Sequence, residues 1–247
     1  MNESVTRGSG YFLEGLKQLP DPAIRWFVLL PMMINLLVFG GLIYLTFRQF
    51  GIWMEDLFGW IPSWLSFLEY LLWPLLSMAV LGVVFFTFTI LGNLIAAPFN
   101  GLLAEKVQRL NGADDLPDYE LKDWLVLLPR TVCRELRKLV YYLPKALVLL
   151  ILSIIPVVNL ASPVLWFLFN SWMMSIQYCD YAADNRGVSF NDMLVRLREQ
   201  RSSVWGFGAT VSLLLLVPFI NLVIMPAAVV GSTLLWERQI ERQRVGC

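Results

Sequence analysis

Charged side chains are unevenly distributed along the 247-residue chain, and the uncharged stretches between them are long. Four windows contain no Asp, Glu, Lys or Arg: 26–47, 70–104, 146–179 and 202–236, with 22, 35, 34 and 35 residues. A charge is costly inside the hydrocarbon core of a bilayer, so each window predicts a segment that enters a membrane. At ~1.5 Å per residue the first window can cross a core of ~30 Å, which predicts a transmembrane helix over 26–48.

The second window has no clear central turn and predicts one long, tilted helix over 70–110. No Lys or Arg lies between Arg48 and Lys106, whereas a basic block begins at Lys106. By the positive-inside rule, residues 49–69 are expected on the far side of the membrane and residues 105–145 in the cytoplasm. The chain is therefore predicted to cross the membrane and return.

The third and fourth windows each contain a helix breaker near the middle. The sequence PVVNL occurs at 156–160 and PFINL at 218–222, so the pattern Pro-x-x-Asn-Leu recurs 62 residues apart. Each window is too long for one span of ~20 residues and too short for two spans with a turn. Two re-entrant helical hairpins are predicted, over 144–180 and 202–237, with two ordinary pairs of short, tilted spans as the alternative. Paired broken segments point to a transport site.

Composition agrees with an all-α integral membrane protein, formed as a single membrane domain over 1–247. Hydrophobic residues make up 57% of the chain and charged residues 15%, against about 25% charged in soluble domains. Lys plus Arg and Asp plus Glu both total 19, so no basic excess indicates nucleic acid. There is no histidine, and the cysteines Cys133, Cys179 and Cys247 form no C-x-x-C pair. We therefore expect no enzyme activity, no cofactor and no metal site.

The start of the first membrane helix is a candidate anion site. Pro22 at a helix start is expected to leave unpaired N–H groups after it, and Arg25 adds positive charge at the same point. The alternative is an interfacial anchor, with Arg25 reaching the headgroups and Trp26 in the aromatic belt.

A second group of charges follows the long second helix. Glu105 and Arg109 lie four residues apart and are expected to pair. Four basic residues share one stripe of a helix predicted over 119–142, namely Arg130, Arg134, Arg137 and Lys138. The stripe could line the entry to an anion pathway, or it could be a solvated face beside anionic headgroups.

Asparagine side chains within the windows are a third candidate group: Asn35, Asn93, Asn100, Asn159 and Asn221. Hydrogen bonding between helices is the expected role of most of them. Asn159 and Asn221 are stronger candidates for the pathway because they lie at the predicted hairpin turns, and Asn35 and Asn100 are included as further candidates.

Several segments together resemble the CysZ family of sulfate permeases. They are RWFVLLP at 25–31, APFNGLLAEKV at 97–107, YYLPK at 141–145 and the two Pro-x-x-Asn-Leu segments. The resemblance extends over about 10–236. It implies sulfate import across the bacterial inner membrane for cysteine biosynthesis, by a multi-pass protein that uses no ATP. It also implies homo-oligomers with protomers in opposite orientations, and sulfite is a candidate competitor.

The resemblance further implies a sulfate site at Ala23, Ile24 and Arg25. Ala23 stands where the family has glycine, and Trp26 stands where it has a second arginine. Glu105, Arg109, Arg130 and Arg134 match positions expected to line or gate the pathway. The competing hypothesis for the whole protein is a membrane scaffold that perturbs or organises lipid without transporting an ion.

Overall fold

The computed structural model describes residues 3–60, 62, 67–114, 116, 124–217 and 220–241. All regular secondary structure in these ranges is helical, which confirms the predicted all-α class. The helices are α1 Glu3–Gln18, α2 Arg25–Gly59, α3 Phe67–Leu110, α4 Trp124–Ile154, a 3-10 turn Val158–Ala161, α5 Ser162–Asn185, α6 Phe190–Glu199, α7 Arg201–Leu214, α8 Asn221–Leu235 and a π-helical turn Trp236–Glu241.

The chain divides into two compact units. The smaller unit, Leu30–Ala96, contains most of α2 and α3. These helices run antiparallel, because Phe39 packs on Phe88 and Phe50 on Trp73, with ring centroids 4.3 and 5.5 Å apart. The larger unit combines the described parts of Met1–Leu29 and Ala97–Cys247.

Two helical segments are long and apolar enough to cross a membrane: Arg25–Gly59 and Tyr70–Phe88, both with mean hydropathy 2.2. In their most apolar windows only 6% and 0% of the residues are buried. Exposed apolar surface of this extent is typical of helices that lie in a lipid bilayer. Both segments are therefore candidates to span a membrane.

The helix boundaries differ from the predicted ones in two places. The helix predicted over 26–48 continues to Gly59, since no proline interrupts the residues after the membrane window. The helix predicted over 119–142 and the first arm of the hairpin from 144 form one helix, α4, although residues 119–123 lie outside the described part. Proline costs a helix one hydrogen bond. Here contacts with α5 on both sides of Pro144 offset that loss, from Tyr142 to Phe169 before it and from Ser153 to Ser162 after it.

Helices α4 and α5 form an antiparallel pair. Ser153 contacts Ser162 near the turn with hydroxyl oxygens 2.5 Å apart, Tyr142 stacks on Phe169 midway, and Arg134 pairs with Asp180 near the other end. The turn between the helices contains Val157, whose φ of 74° is unfavourable for a β-branched residue.

The core of the larger unit packs α1 against α7 and α8, and α5 against the same two helices. Glycine permits the closest approaches: a Cβ on Gly8 would overlap the backbone of Ser203, and one on Gly208 would overlap the backbone of Ser171. Helix α1 also approaches α8 closely, where a Cβ on Gly15 would overlap the backbone of Ala227 and Gly231.

Candidate functional site

The turn before α2 is organised by one residue, Asp21. Its carboxylate Oδ1 accepts a hydrogen bond from the Ala23 N–H at 2.8 Å. Its backbone oxygen accepts from the N–H groups of Ile24 and Arg25, both at 2.9 Å. The expectation that these N–H groups are unpaired is therefore wrong, because an aspartate is an effective cap at a helix start.

The side chains of this turn point in two directions. Ile24 is only 1% exposed and belongs to the core of the larger unit, against which Phe27 and Val28 also pack. Ile24 can therefore offer a ligand only its backbone, and its burial fixes the position of the turn. Trp26 is 63% exposed, and the Arg25 guanidinium carbon lies 5.8 Å from the centroid of its ring.

Arg25 differs from the other predicted site arginines in its charge environment. Within the described part of the chain, no carboxylate forms an ion pair with its guanidinium. Its exposed fork of donors is suited to an oxyanion, because guanidinium matches such groups with two parallel hydrogen bonds.

Arg134 and Lys138 on α4 share one buried acidic partner, Asp180 on α5. The Arg134 Nη2 atom lies 2.9 Å from Asp180 Oδ1, and the Lys138 Nζ atom lies 3.5 Å from Asp180 Oδ2. Lys138 also pairs with Glu135, one turn earlier, at 2.5 Å. All three members of the central triad are less than a tenth exposed. The predicted cationic stripe is therefore partly an internal ion network rather than a solvated face.

The protonation of Lys138 follows from these neighbours. Burial acts to lower the pKa of Lys138, but Tyr181, Asp180 and Glu135 together outweigh burial and raise that pKa above its ordinary value. The ammonium group therefore stays charged and keeps its partners.

Two further cations predicted to line the pathway, Arg109 and Arg130, are also paired, whereas Arg137 is exposed and forms no ion pair within the described residues. Arg109 contacts Glu105 at 3.0 Å, which confirms the expected pairing, and it donates to the backbone oxygen of Leu116 at 3.1 Å. Arg130 contacts the Asp184 carboxylate at 2.9 Å and its backbone oxygen at 2.6 Å. The Arg130 side chain is 40% exposed, so this pair lies at the edge of the network.

A cavity of about 40 Å³ lies beside this network. Its lining includes one cation, Arg134, and four carboxylates: Glu105, Glu135, Asp180 and Asp184. The cavity has room for a few water molecules, each of which needs roughly 10–15 Å³ by this kind of measure. Carboxylates accept hydrogen bonds and offer none to an anion, so this lining does not resemble a sulfate-binding pocket.

The predicted asparagines occupy different settings. Asn100 donates to the Tyr181 hydroxyl at 3.4 Å and so connects α3 to α5. Asn159 is exposed in the turn after α4, whereas Asn221 begins α8. The buried Oδ1 atoms of Asn35 and Asn221 have no hydrogen-bond partner in the described part of the chain. The side chain of Asn93 lies outside the described residues.

Sequence reasoning missed the acidic half of the network, Asp180 and Asp184. One signal was present: these residues are spaced by four directly after an uncharged window, and Arg130 and Arg134 are spaced by four before it. An antiparallel pairing of the two helices would have matched them. It also missed a second buried cluster, in which Glu237 accepts from Gln108 at 2.7 Å and pairs with Arg186 at 2.6 Å.

Comparison with known proteins gives matches over almost the whole chain. A family model described as Sulfate transporter CysZ/Etoposide-induced protein 2.4 matches residues 11–226. The sulfate transporter CysZ of Pseudomonas fluorescens (strain Pf0-1) is 52% identical over 240 residues, 97% of this chain and 96% of the relative. The protein of the same name from Vibrio parahaemolyticus is 42% identical over 245 residues, 99% of each. The matches to these relatives cover 97% and 99% of the chain and so extend far beyond its motifs.

Proposed function

Because the chain belongs to the family described as Sulfate transporter CysZ/Etoposide-induced protein 2.4, we propose that it carries sulfate across the bacterial inner membrane. The observation that carries the proposal is the near full-length match to relatives named sulfate transporter CysZ, at 52% and 42% identity. The imported sulfate would feed assimilation and cysteine biosynthesis. The protein acts as a permease, not as an enzyme.

Sulfate capture is assigned to the start of α2, with Arg25 as the charged ligand and Ala23 and Ile24 as backbone contacts. Arg25 is exposed and carries no ion pair within the described residues, so its positive charge is available to an incoming anion. The guanidinium fork matches the geometry of an oxyanion. Burial of Ile24 holds the turn in place around it.

The paired cations are assigned a different role, in the wall or gate of the pathway. Each of Arg109, Arg130 and Arg134 is neutralised by a carboxylate within 3.0 Å, so these arginines hold helices together more than they attract sulfate. Glu105 belongs to the same wall. Four asparagines would add neutral polar groups to the passage: Asn35, Asn100, Asn159 and Asn221.

We further propose that two helix pairs, over 144–180 and 202–237, penetrate the membrane only partly, within a single membrane domain. Helices α7 and α8 have 14 and 15 residues, or ~21 and ~23 Å, less than a ~30 Å hydrocarbon core. Both turns expose large apolar side chains, with Leu160 at 85% and Leu216 at 76% exposure. Such side chains are stable at a turn only if lipid or protein covers them.

The resemblance to the family supports two further partners. We propose that the protein forms homo-oligomers in the lipid bilayer, with protomers in opposite orientations, and that sulfite competes with sulfate. Cross-linking in membranes and uptake in the presence of sulfite would test these two points separately.

Uptake of radiolabelled sulfate into liposomes that contain the purified protein tests the main proposal. We expect saturable uptake, lowered by sulfite, and a reduction of about tenfold or more at low sulfate in Arg25→Ala, since a hydrogen bond to a charged group contributes roughly 1.5–3 kcal/mol. Arg137→Ala is the matched control, because Arg137 is also exposed and forms no ion pair within the described residues. Uptake equal to that of empty liposomes, from folded and inserted protein, would contradict the proposal and favour a lipid scaffold.

A further inference from the structure

The N–H groups at the proposed sulfate site already have hydrogen-bond partners within the chain, and one of these partners is a carboxylate. Asp21 accepts all three hydrogen bonds, through its carboxylate from Ala23 and through its backbone oxygen from Ile24 and Arg25. The backbone of Asp21 is held by its own N–H, which donates to the Gln18 oxygen at 3.0 Å. The side chain is exposed and forms no ion pair within the described residues, so only one hydrogen bond fixes the carboxylate.

A carboxylate at this point serves as an internal substitute for an external anion. The start of a helix favours negative charge, and the Asp21 carboxylate supplies it when no ligand is bound. Sulfate and the carboxylate would compete for the same Ala23 N–H. They would also repel each other, because like charges a few ångströms apart interact unfavourably even in water. Sulfate can therefore reach the Ala23 N–H only when the carboxylate moves away.

We propose that Asp21 is an internal competitor of sulfate that sets how tightly the ion binds at the start of α2. This inference rests on the proposed function and identifies a residue that regulates its binding site. Weakened binding suits a permease, because an ion must be held strongly enough to enter and weakly enough to leave. Repulsion by one carboxylate also acts twice as strongly on a dianion as on a monoanion, so Asp21 lowers the preference for divalent ions.

The test compares sulfate binding by purified wild-type protein and Asp21→Asn in detergent, using isothermal titration calorimetry at low ionic strength. Asparagine keeps the oxygen that accepts from Ala23 and caps helices as well as aspartate, so the turn is expected to fold. We expect Asp21→Asn to bind sulfate roughly three- to tenfold more tightly, with a smaller gain for nitrate and a smaller gain for sulfate at high salt. Asp56→Asn removes the same charge from an exposed position on α2 and is expected to leave sulfate affinity unchanged.

The possible outcomes distinguish a failure of the proposed role of Asp21 from a failure of the proposed sulfate site. Wild-type protein that binds sulfate, loses it in Arg25→Ala and shows no gain in Asp21→Asn would overturn the role of Asp21 alone. An equal gain in Asp56→Asn would also overturn it, by showing an effect of total charge. Folded wild-type protein that binds no sulfate would overturn the capture site and the inference together.

Discussion

The start of α2 and the network between α4 and α5 hold arginine side chains of the larger unit in opposite environments. Arg25 is exposed, with the Trp26 ring as its neighbour, whereas Arg134 is buried at 2.9 Å from Asp180. A carboxylate at that distance cancels most of the field of a guanidinium. We therefore expect ion pairing, more than the number of arginines, to limit where an anion can be captured.

The comparison also extends to the acidic residues. Asp180 is 1% exposed and serves two cations at once, so it is part of the structure of the protein. Asp21 is exposed and caps N–H groups, so it can exchange with a ligand. The buried network is fixed by its ion pairs, whereas the start of α2 is the region that we propose responds to sulfate.

Neutralising Asp180 is expected to have the largest effect, because Arg134 and Lys138 would both remain buried with less compensation. Removing one partner of a buried ion pair costs about 3–5 kcal/mol. We expect Asp180→Asn to unfold at a much lower temperature than the wild type, measured by circular dichroism in detergent. Asp192→Asn, an exposed aspartate on α6, is the control and should change the unfolding temperature much less. Equal unfolding temperatures of Asp180→Asn and wild type would show that the network does not hold α4 against α5.

Two substitutions can separate the effect of the hydrogen-bonding geometry of Arg25 from the effect of its charge. Lysine keeps the positive charge but lacks the planar fork, whereas glutamine loses the charge. We expect sulfate affinity to fall by about tenfold or more in Arg25→Gln and only a few-fold in Arg25→Lys, measured by calorimetry. Both variants should unfold near the wild-type temperature, because Arg25 is exposed. Equal losses in the two variants would assign the effect to shape alone, and no loss in either would remove Arg25 from the site.

Rules based on residue spacing predicted those features of the molecule that depend on residues close together in sequence. The uncharged windows predicted all-helical membrane segments, and spacing by four predicted the Glu105–Arg109 pair, found at 3.0 Å. The same rules missed that α4 continues through Pro144, because contacts of Tyr142 and Ser153 with α5, on either side of the proline, offset its effect.

The acidic half of the network could not be found from local pattern. Asp180 lies 46 residues from Arg134, so only the antiparallel packing of α4 on α5 brings them together. The capping role of Asp21 could have been predicted from adjacent residues, because an aspartate before Pro22 at a helix start is a known capping arrangement. Counting the carboxylate as a partner would have predicted that the Ala23 N–H is not free.

Ionic strength should affect the two regions unequally. The Debye length falls from about 30 Å at 0.01 M to about 8 Å at 0.15 M, which screens exposed charges but hardly affects buried pairs. We expect sulfate affinity to fall a few-fold over this range in sodium gluconate, and the unfolding temperature to change little. The salt dependence of binding should be weaker in Arg25→Gln. A strong drop in unfolding temperature with salt would contradict the assignment of stability to buried pairs.

The smallest effect is expected at the edge of the network, where Arg130 pairs with Asp184. The Arg130 side chain is 40% exposed, so water already screens this pair and replaces its hydrogen bonds when it is lost. An exposed pair contributes about 0.2–1 kcal/mol, so Arg130→Gln should lower the unfolding temperature only slightly. Arg134→Gln, one helical turn further along α4, is the matched comparison and should be far more destabilising because Asp180 would keep a buried charge with one fewer partner. If the two variants unfold at the same temperature, burial does not determine how much each ion pair contributes to stability. Arg130 would then have to be considered again as a cation available to sulfate.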